Sequence, residues 1–257
     1  MTQTLRVAGV DWAAKPKDRA LVGLRFDRER RAISVESVVP RVDDATFIDA
    51  VRSGGYSCVA VDVPFGWPAA FADFVQRWSC TERRPELLVP EYEPFAFRRT
   101  DLVVRPIKPP LSVSSQLLAL ATLTWVRLVS AHGIHAHIDV HAERPAVRPN
   151  IIEVYPGATL ATLVTSDALA IDRYKKDAAV RVALVDRLME IFRIEGITPD
   201  LRSTLVGKGK QAHATDALVA AITAMIYEGV LDQRVRRPTT EEEKRDAPRE
   251  GWIFFPT

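Results

Sequence analysis

The chain contains little cysteine, with two residues among 257. Cys58 and Cys80 lie outside any CxxC pattern, so the sequence predicts neither a disulfide framework nor a cysteine-bound zinc site. No apolar run approaches the roughly 20 residues that span a bilayer. The N-terminus lacks the basic segment and apolar stretch of a secretion signal. We therefore expect a cytoplasmic protein with reduced thiols and no membrane partner.

The chain also lacks an excess of charge of one sign. Thirty-five Lys and Arg residues stand against 33 Asp and Glu residues, which gives a net charge of +2. This balance argues neither for nor against a nucleic-acid partner, and a local basic rim around an acidic site remains compatible with it. Hydrophobic residues make up 47% of the chain, as in globular proteins that bury a sizeable core. The length alone fits one large domain or two small ones.

What the chain does contain is a series of short apolar segments that predict a mixed α/β fold. Residues 5–10, 19–26 and 32–39 are apolar stretches joined by polar turns, a pattern typical of an antiparallel meander. A helix opened by Asp43 and Asp44 should follow, and then an apolar strand over residues 58–62. Later helices are predicted over 112–131, 158–164, 178–192 and 213–224, and a strand over 150–155.

Two of these strands end on an aspartate after the same kind of apolar lead-in. Asp11 follows Gly9-Val10, and Asp62 follows Ala60-Val61. If the strands are parallel and adjacent, both carboxylates lie at one edge of the sheet, outside the strand carboxyl ends, where α/β proteins form their sites. The alternative is structural, because aspartates at strand ends often accept hydrogen bonds from the next turn.

Two further carboxylates complete a candidate metal site. Glu153 lies within the predicted strand 150–155, and Asp216 lies in the first turn of the helix that begins near His213. Hard divalent cations prefer carboxylate oxygens, and a pair of them can activate water for phosphodiester hydrolysis. We therefore predict that Asp11, Asp62, Glu153 and Asp216 bind Mg²⁺ or Mn²⁺ and are catalytic. For Asp216 the structural alternative is a helix-dipole partner or cap.

Four polar residues are candidate substrate contacts. Arg99 and Lys175 would steady phosphates, although Arg99 and Asp101 could instead form a structural salt bridge and Lys175 could be a solvated charge. Glu153 is expected to pair with Arg99 or Lys175. His213 is either a satisfied histidine or a general acid or base beside the metals.

The remaining segments are less regular. Residues 66–112 contain many prolines and mixed acidic, basic and aromatic residues, and we predict an inserted loop or lid there. The charged segment 232–250 is expected to extend over the surface, and residues 252–255 to form a short strand or docking segment.

Several short motifs occur along the chain in a characteristic order. They are Gly9-Val10-Asp11-Trp12-Ala13, Val61-Asp62-Val63-Pro64-Phe65-Gly66, Arg99-Thr100-Asp101, Glu153-Val154-Tyr155-Pro156, Tyr174-Lys175, the helix from Asp216, and the ending Glu250-Gly251-Trp252-Ile253-Phe254-Phe255-Pro256. Together they resemble the DUF429 family, predicted nucleases of the ribonuclease H-like superfamily.

The resemblance implies a single domain over 1–257, built on a ribonuclease H-like mixed sheet: three antiparallel strands, then parallel strands, flanked by helices, with a long insertion after the fourth strand. It matches Asp11 to the superfamily's first-strand carboxylate, Asp62 to its fourth-strand acid and Asp216 to the carboxylate on its last core helix, whereas Glu153 has no settled equivalent.

Three functions follow as hypotheses. The first is a Mg²⁺- or Mn²⁺-dependent nuclease, a hydrolase acting on nucleic acid by a two-metal carboxylate mechanism. The second is a phosphotransferase of the sugar-kinase and actin type, which also begins with a strand-end aspartate, although Trp12-Ala13-Ala14-Lys15 replaces the Gly-rich phosphate turn expected there. The third is a non-catalytic binding module on the same fold.

Overall fold

The strands of the protein form one mixed sheet. The computed structural model describes residues 4–53, 55–82, 91–143, 147–164, 171–207 and 212–257. In these ranges the strands are β1 (Thr4–Asp11), β2 (Ala20–Asp27), β3 (Ala32–Pro40), β4 (Cys58–Asp62), β5 (Asn150–Val154), β6 (Ile194–Glu195) and β7 (Ile253–Phe254). Their order across the seven-stranded sheet of the described residues is β6-β3-β2-β1-β4-β5-β7.

The pairing of the strands confirms the predicted change from antiparallel to parallel. The first three strands form an antiparallel meander. From β1 outward on the other side, β4, β5 and β7 follow in parallel. The carboxyl ends of β1, β4 and β5 therefore meet at one edge of the sheet.

Helices cover both faces of the sheet. One face packs against a helix that Asp43 caps and against a long helix carrying Trp125, and the other packs against helices of the C-terminal half. The helices in the described residues are α1 (Asp44–Arg52), α2 (Ala69–Arg77), α3 (Glu93–Ala96), α4 (Arg99–Val104), α5 (Gln116–His132), α6 (Pro156–Leu163), α7 (Ala178–Phe192), α8 (Pro199–Val206), α9 (His213–Tyr227) and α10 (Glu241–Glu250). Short 3-10 turns span Pro16–Asp18, Ile134–His137 and Ile171–Arg173.

Helix α9 is the central helix of the second face. From Ala214 to Tyr227 each of its residues is buried, as expected for a predominantly apolar helix in the core. It contacts β1, β2 and β4. At Gly9 the backbones of β1 and α9 touch, because a Cβ there would lie 2.1 Å from the carbonyl oxygen of Ala217 and from the amide nitrogen of Ala221. Glycine is therefore required at position 9 for the strand and the helix to approach so closely.

The charged segment near the C-terminus does not simply extend over the surface. Residues 241–250 form α10, and this part of the expectation was wrong. Thr240 and Glu243 form a capping box, and the buried carboxylate of Glu250 accepts hydrogen bonds from the amides of Ala69 and Arg99. These hydrogen bonds hold the segment after β4 against α10. The strand β7 confirms the predicted short final strand.

The inserted segment is partly helical. Helices α2, α3 and α4 lie within residues 66–112, whereas residues 83–90 lie outside the described part of the chain. A lid function for 66–112 and a single domain over 1–257 stay predictions. In the described ranges, no helix combines the length and the apolar character that crossing a membrane requires.

Candidate functional site

Three carboxylates meet where the sheet faces α9. Asp11 and Asp62 end adjacent parallel strands and are paired in register, and each lies on the sheet face that packs against α9, because side chains alternate along a strand. Asp216 lies in the first turn of α9. Among the described residues, these three carboxylates each offer an oxygen, and the oxygens lie within 4.8 Å of one another. We call Asp11, Asp62 and Asp216 the aspartate cluster.

The surroundings of the cluster disfavour negative charge. Desolvation raises the pKa of Asp62 well above its usual range, and the charge of Asp11 adds to the effect. Desolvation also raises the pKa of Asp11, although a hydrogen bond with His213 opposes the shift. Carboxylates that repel one another in a water-poor setting gain stability from a cation between them. Binding of a cation to the aspartate cluster is therefore electrostatically favourable.

Tyr174 and Lys175 contact the cluster from the segment that precedes α7. The Tyr174 hydroxyl donates a hydrogen bond to Oδ1 of Asp216, and the Lys175 ammonium lies 2.9 Å from Oδ2 of the same carboxylate. Burial disfavours the charge on Lys175, but the negative charges of Asp216 and Asp62 outweigh this and raise its pKa. Lys175 therefore stays protonated and supplies a cation beside the cluster.

His213 reaches the cluster from the first residue of α9. Its Nδ1 lies 2.6 Å from Oδ2 of Asp11. This hydrogen bond raises the pKa of His213, with burial opposing the shift. The contact orients the imidazole, so the second ring nitrogen, Nε2, is the atom that could exchange a proton with a ligand.

The structure does not bring Glu153 into the aspartate cluster. Glu153 is paired with Val61 in the β4–β5 register, so its side chain lies on the opposite face of the sheet from Asp62. Its carboxylate instead contacts Arg98, with Oε1 2.7 Å from Nη2 and Oε2 accepting a hydrogen bond from Nη1 at 3.0 Å. The amide of Phe65 donates to the same Oε2. Both oxygens thus have partners within the protein, which gives Glu153 a structural contact where a metal ligand was predicted.

Arg98, and not its neighbour Arg99, occupies the interior. The Arg98 side chain is 1% exposed and contacts both carboxylate oxygens of Asp101 as well as Glu153. Burial opposes its charge, but Asp101 and Glu153 raise the pKa of Arg98, so the guanidinium stays charged. Asp101 therefore forms its salt bridge with Arg98 and not with Arg99.

Arg99 lies away from the aspartate cluster. Its guanidinium contacts Glu242 at 3.3 Å and Asp246 at 3.5 Å, both on α10. The expected pairing of Glu153 with Arg99 or Lys175 was therefore wrong. Arg98 and Arg99 are adjacent in sequence, and the structure buries Arg98, which precedes the first residue of α4.

A cavity of about 290 Å³ opens beside the cluster. Its charged walls include Asp11, Asp62, Glu153, Asp101 and Lys175. Its remaining walls are mostly apolar or aromatic, and include Trp12, Pro110, Leu111, Val113, Leu118 and Tyr155. A ligand in this cavity would contact carboxylates and an ammonium as well as apolar side chains.

Sequence reasoning missed Arg98, Tyr155 and Tyr174. Tyr174 immediately precedes Lys175, and Tyr155 follows Glu153 by two positions, so both lie in motifs that had been singled out. A hydroxyl next to a candidate phosphate contact was the available signal for Tyr174. Arg98 gave no local signal that separates it from Arg99.

The cluster has the composition of a hard-metal site. Carboxylate oxygens are the ligands that Mg²⁺ and Mn²⁺ prefer, and the residues that could hold such an ion are Asp11, Asp62 and Asp216. The set contains neither cysteine nor histidine, the ligands typical of zinc sites. The donor atoms that are present therefore fit a hard divalent cation.

The chain matches a known protein family. A family model described as "Protein of unknown function (DUF429)" matches residues 9–243. No curated protein matches the chain, and no solved structure matches it.

Proposed function

Because the chain belongs to the DUF429 family, whose description assigns no function, we propose an activity from its own residues: hydrolysis of phosphodiester bonds in nucleic acid with Mg²⁺ or Mn²⁺. The observation that carries the proposal is the convergence of Asp11, Asp62 and Asp216 within 4.8 Å. We also infer a ribonuclease H-like fold. The antiparallel meander continued by parallel strands supports this inference, as does the position of the cluster at the ends of β1 and β4 and on α9.

In this proposal the aspartate cluster holds the metal, and Glu153 does not. A hard divalent cation bound there would supply an activated water and would stabilise the charge on the leaving oxygen. The salt bridges of Arg98 with Glu153 and Asp101 fix the ends of β5 and α4 beside the cluster. These three residues act by positioning the walls of the cavity.

Lys175 and His213 act on the substrate. The ammonium of Lys175 is a charged hydrogen-bond donor that lies beside the aspartate cluster and lines the cavity, where it can bind a phosphate oxygen. His213 is held through Nδ1 by Asp11, so its Nε2 can give a proton to a leaving oxygen or take one from water. Tyr174 keeps Asp216 in place through its hydroxyl.

The test uses the full chain with single-stranded and double-stranded DNA and RNA oligonucleotides. Hydrolysis should require Mg²⁺ or Mn²⁺, stop with EDTA, and fall at least 100-fold in Asp62→Asn and Asp216→Asn, which is the order of loss when one group that stabilises transition-state charge is removed. Asp232→Asn, at an exposed position outside the cavity, is the matched control.

Two outcomes would count against the proposal. Hydrolysis that persists in Asp62→Asn at the rate of the Asp232→Asn control would place the chemistry elsewhere. Absence of hydrolysis with every substrate, together with no metal-dependent rise in melting temperature, would favour a non-catalytic binding module.

A further inference from the structure

The apolar walls of the cavity are not used by the proposed hydrolysis. Pro110, Leu111 and Val113 line it from the segment that leads into α5, and Leu118 lines it from α5 itself. Leu111 is 56% exposed. Such side chains contribute nothing to metal or phosphate binding, so they indicate that the ligand has an apolar part next to its charged part.

Tyr155 forms an aromatic wall of the same cavity, and its ring is held in place. The ring carbons Cε2 and Cζ lie so close to Gly157 that a Cβ there would be 3.0 Å from each of them. The hydroxyl donates a hydrogen bond at 3.4 Å to the carbonyl oxygen of Pro109. Gly157 thus lets the ring lie against the first turn of α6, and the contact with Pro109 fixes its outer end. A ring ordered before binding loses little entropy when a planar ligand stacks on it.

The size of the cavity limits what it can accept. Its volume of about 290 Å³ is close to the lower limit of small-molecule pockets, which have volumes of roughly 300–1,000 Å³. A cavity of this size accepts a single unit of a polymer. A paired base inside a duplex can reach such a pocket only by leaving its stack.

We propose that the apolar walls of the cavity form a nucleobase subsite, in which a base stacks on Tyr155 and contacts Leu111 and Leu118 while its phosphate lies beside Lys175 and the aspartate cluster. This inference rests on the proposed function and names its substrate class: single-stranded nucleic acid or an unpaired terminal nucleotide. Stacking on an aromatic side chain is tolerant of base identity, so the subsite selects unpaired bases over paired ones and does not select a sequence.

The test compares the binding of two probes, adenosine 5′-monophosphate and ribose 5-phosphate, to the full chain in Mg²⁺ by isothermal titration calorimetry. The probes share the sugar phosphate and differ by the base. Since stacking of one base is worth about 1–3 kcal/mol, the nucleotide should bind at least fivefold more tightly.

Variants locate the effect. Tyr155→Phe should keep the preference because the ring remains, whereas Tyr155→Leu should lose it. Leu111→Ser, a change at a half-exposed position that leaves the core untouched, should weaken nucleotide binding without weakening ribose 5-phosphate binding. Tyr92→Leu is the matched control, since Tyr92 is 86% exposed and lies outside the cavity walls.

Each outcome of these binding measurements either supports or overturns the nucleobase subsite. Equal affinity for the two probes, or no measurable binding of either at millimolar concentration, overturns the subsite. A base preference that Tyr155→Leu and Leu111→Ser leave intact also overturns it, because the base then binds elsewhere. Binding needs no turnover, so a base preference lost in Tyr155→Leu, in a protein that cleaves no nucleic acid, would keep the subsite and reject the hydrolysis.

Discussion

Asp11 and Asp62 occupy the same register position on two adjacent parallel strands, β1 and β4. Neighbouring strands in a sheet are about 4.8 Å apart, so the two carboxylates leave the sheet side by side on one face. After desolvation, the charge of Asp11 raises the pKa of Asp62, and Asp216 on α9 raises the pKa of both carboxyl groups.

Replacing Asp62 should stabilise the metal-free protein. Because desolvation and the charge of Asp11 raise the pKa of Asp62, its favourable contribution to folding is present at acid pH and is lost as the pH rises through that raised pKa. One pKa unit corresponds to about 1.4 kcal/mol, so Asp62→Asn should gain on the order of 1 kcal/mol at pH 8 in EDTA, measured by urea unfolding. Asp232→Asn should stay within about 0.5 kcal/mol of the wild type. A gain that does not shrink toward pH 4 would contradict this account.

Metal affinity should rise with pH. The raised pKa values of Asp11 and Asp62 mean that protons compete with the cation for the same oxygens, and a protonated His213 beside Asp11 acts in the same direction. Affinity for Mn²⁺ should therefore increase at least tenfold between pH 5.5 and pH 8. Calorimetry in buffers of different ionisation enthalpy should show proton release on binding. A pH-independent affinity would disagree with the raised pKa values.

Lys175 should oppose metal binding while helping the substrate. Its ammonium lies 2.9 Å from Asp216, where it repels an incoming cation. Since the Lys175 side chain is 58% exposed, this repulsion is screened and is worth less than about 1 kcal/mol. Lys175→Met should raise Mn²⁺ affinity roughly two- to fivefold and reduce hydrolysis of oligonucleotides. Lys176→Met, at the exposed neighbour, is the control and should change neither quantity. Weaker metal binding in Lys175→Met would contradict the prediction.

Arg98 should be far more important for stability than Arg99. Arg98→Met leaves Asp101 and Glu153 buried without their partner, and breaking a buried ion pair in this way costs about 3–5 kcal/mol. Arg99→Met removes surface contacts with Glu242 and Asp246 and should cost less than about 1 kcal/mol. Chemical denaturation of the two variants makes the comparison, and equal losses would show that the interior ion pairs do not stabilise the fold.

The local sequence pattern was sufficient to predict the three residues of the aspartate cluster. The apolar lead-ins to Asp11 and Asp62 identify strand ends, and the helix from His213 places Asp216 in a first turn. Glu153 could not be resolved in this way. The face it occupies depends on which residue of β5 lies opposite Val61, and a one-residue change in register would have turned its side chain to the other face.

The C-terminal helix was missed for a different reason. Residues 241–250 carry little apolar character, and Pro248 lies inside the helix, so periodicity gave no signal. The spacing of Thr240 and Glu243 is that of a capping box, and it marked the start of α10. Two of its three buried residues, Glu243 and Glu250, are acidic. Glu250 accepts hydrogen bonds from backbone amides of distant segments, and only the tertiary structure reveals these contacts.

The close approach at Gly9 has a consequence for motion in the site. Asp11 and Asp216 are carried by a strand and a helix whose backbones touch, so these two carboxylates move together as parts of one rigid body. Exchange of ions and substrate must then be accommodated by side chains, above all by Lys175, whose exposed stem enters from outside this body. Relaxation measurements should accordingly find larger motion on the ps–ns timescale in the Lys175 side chain than in the backbone around Asp11 and Asp216.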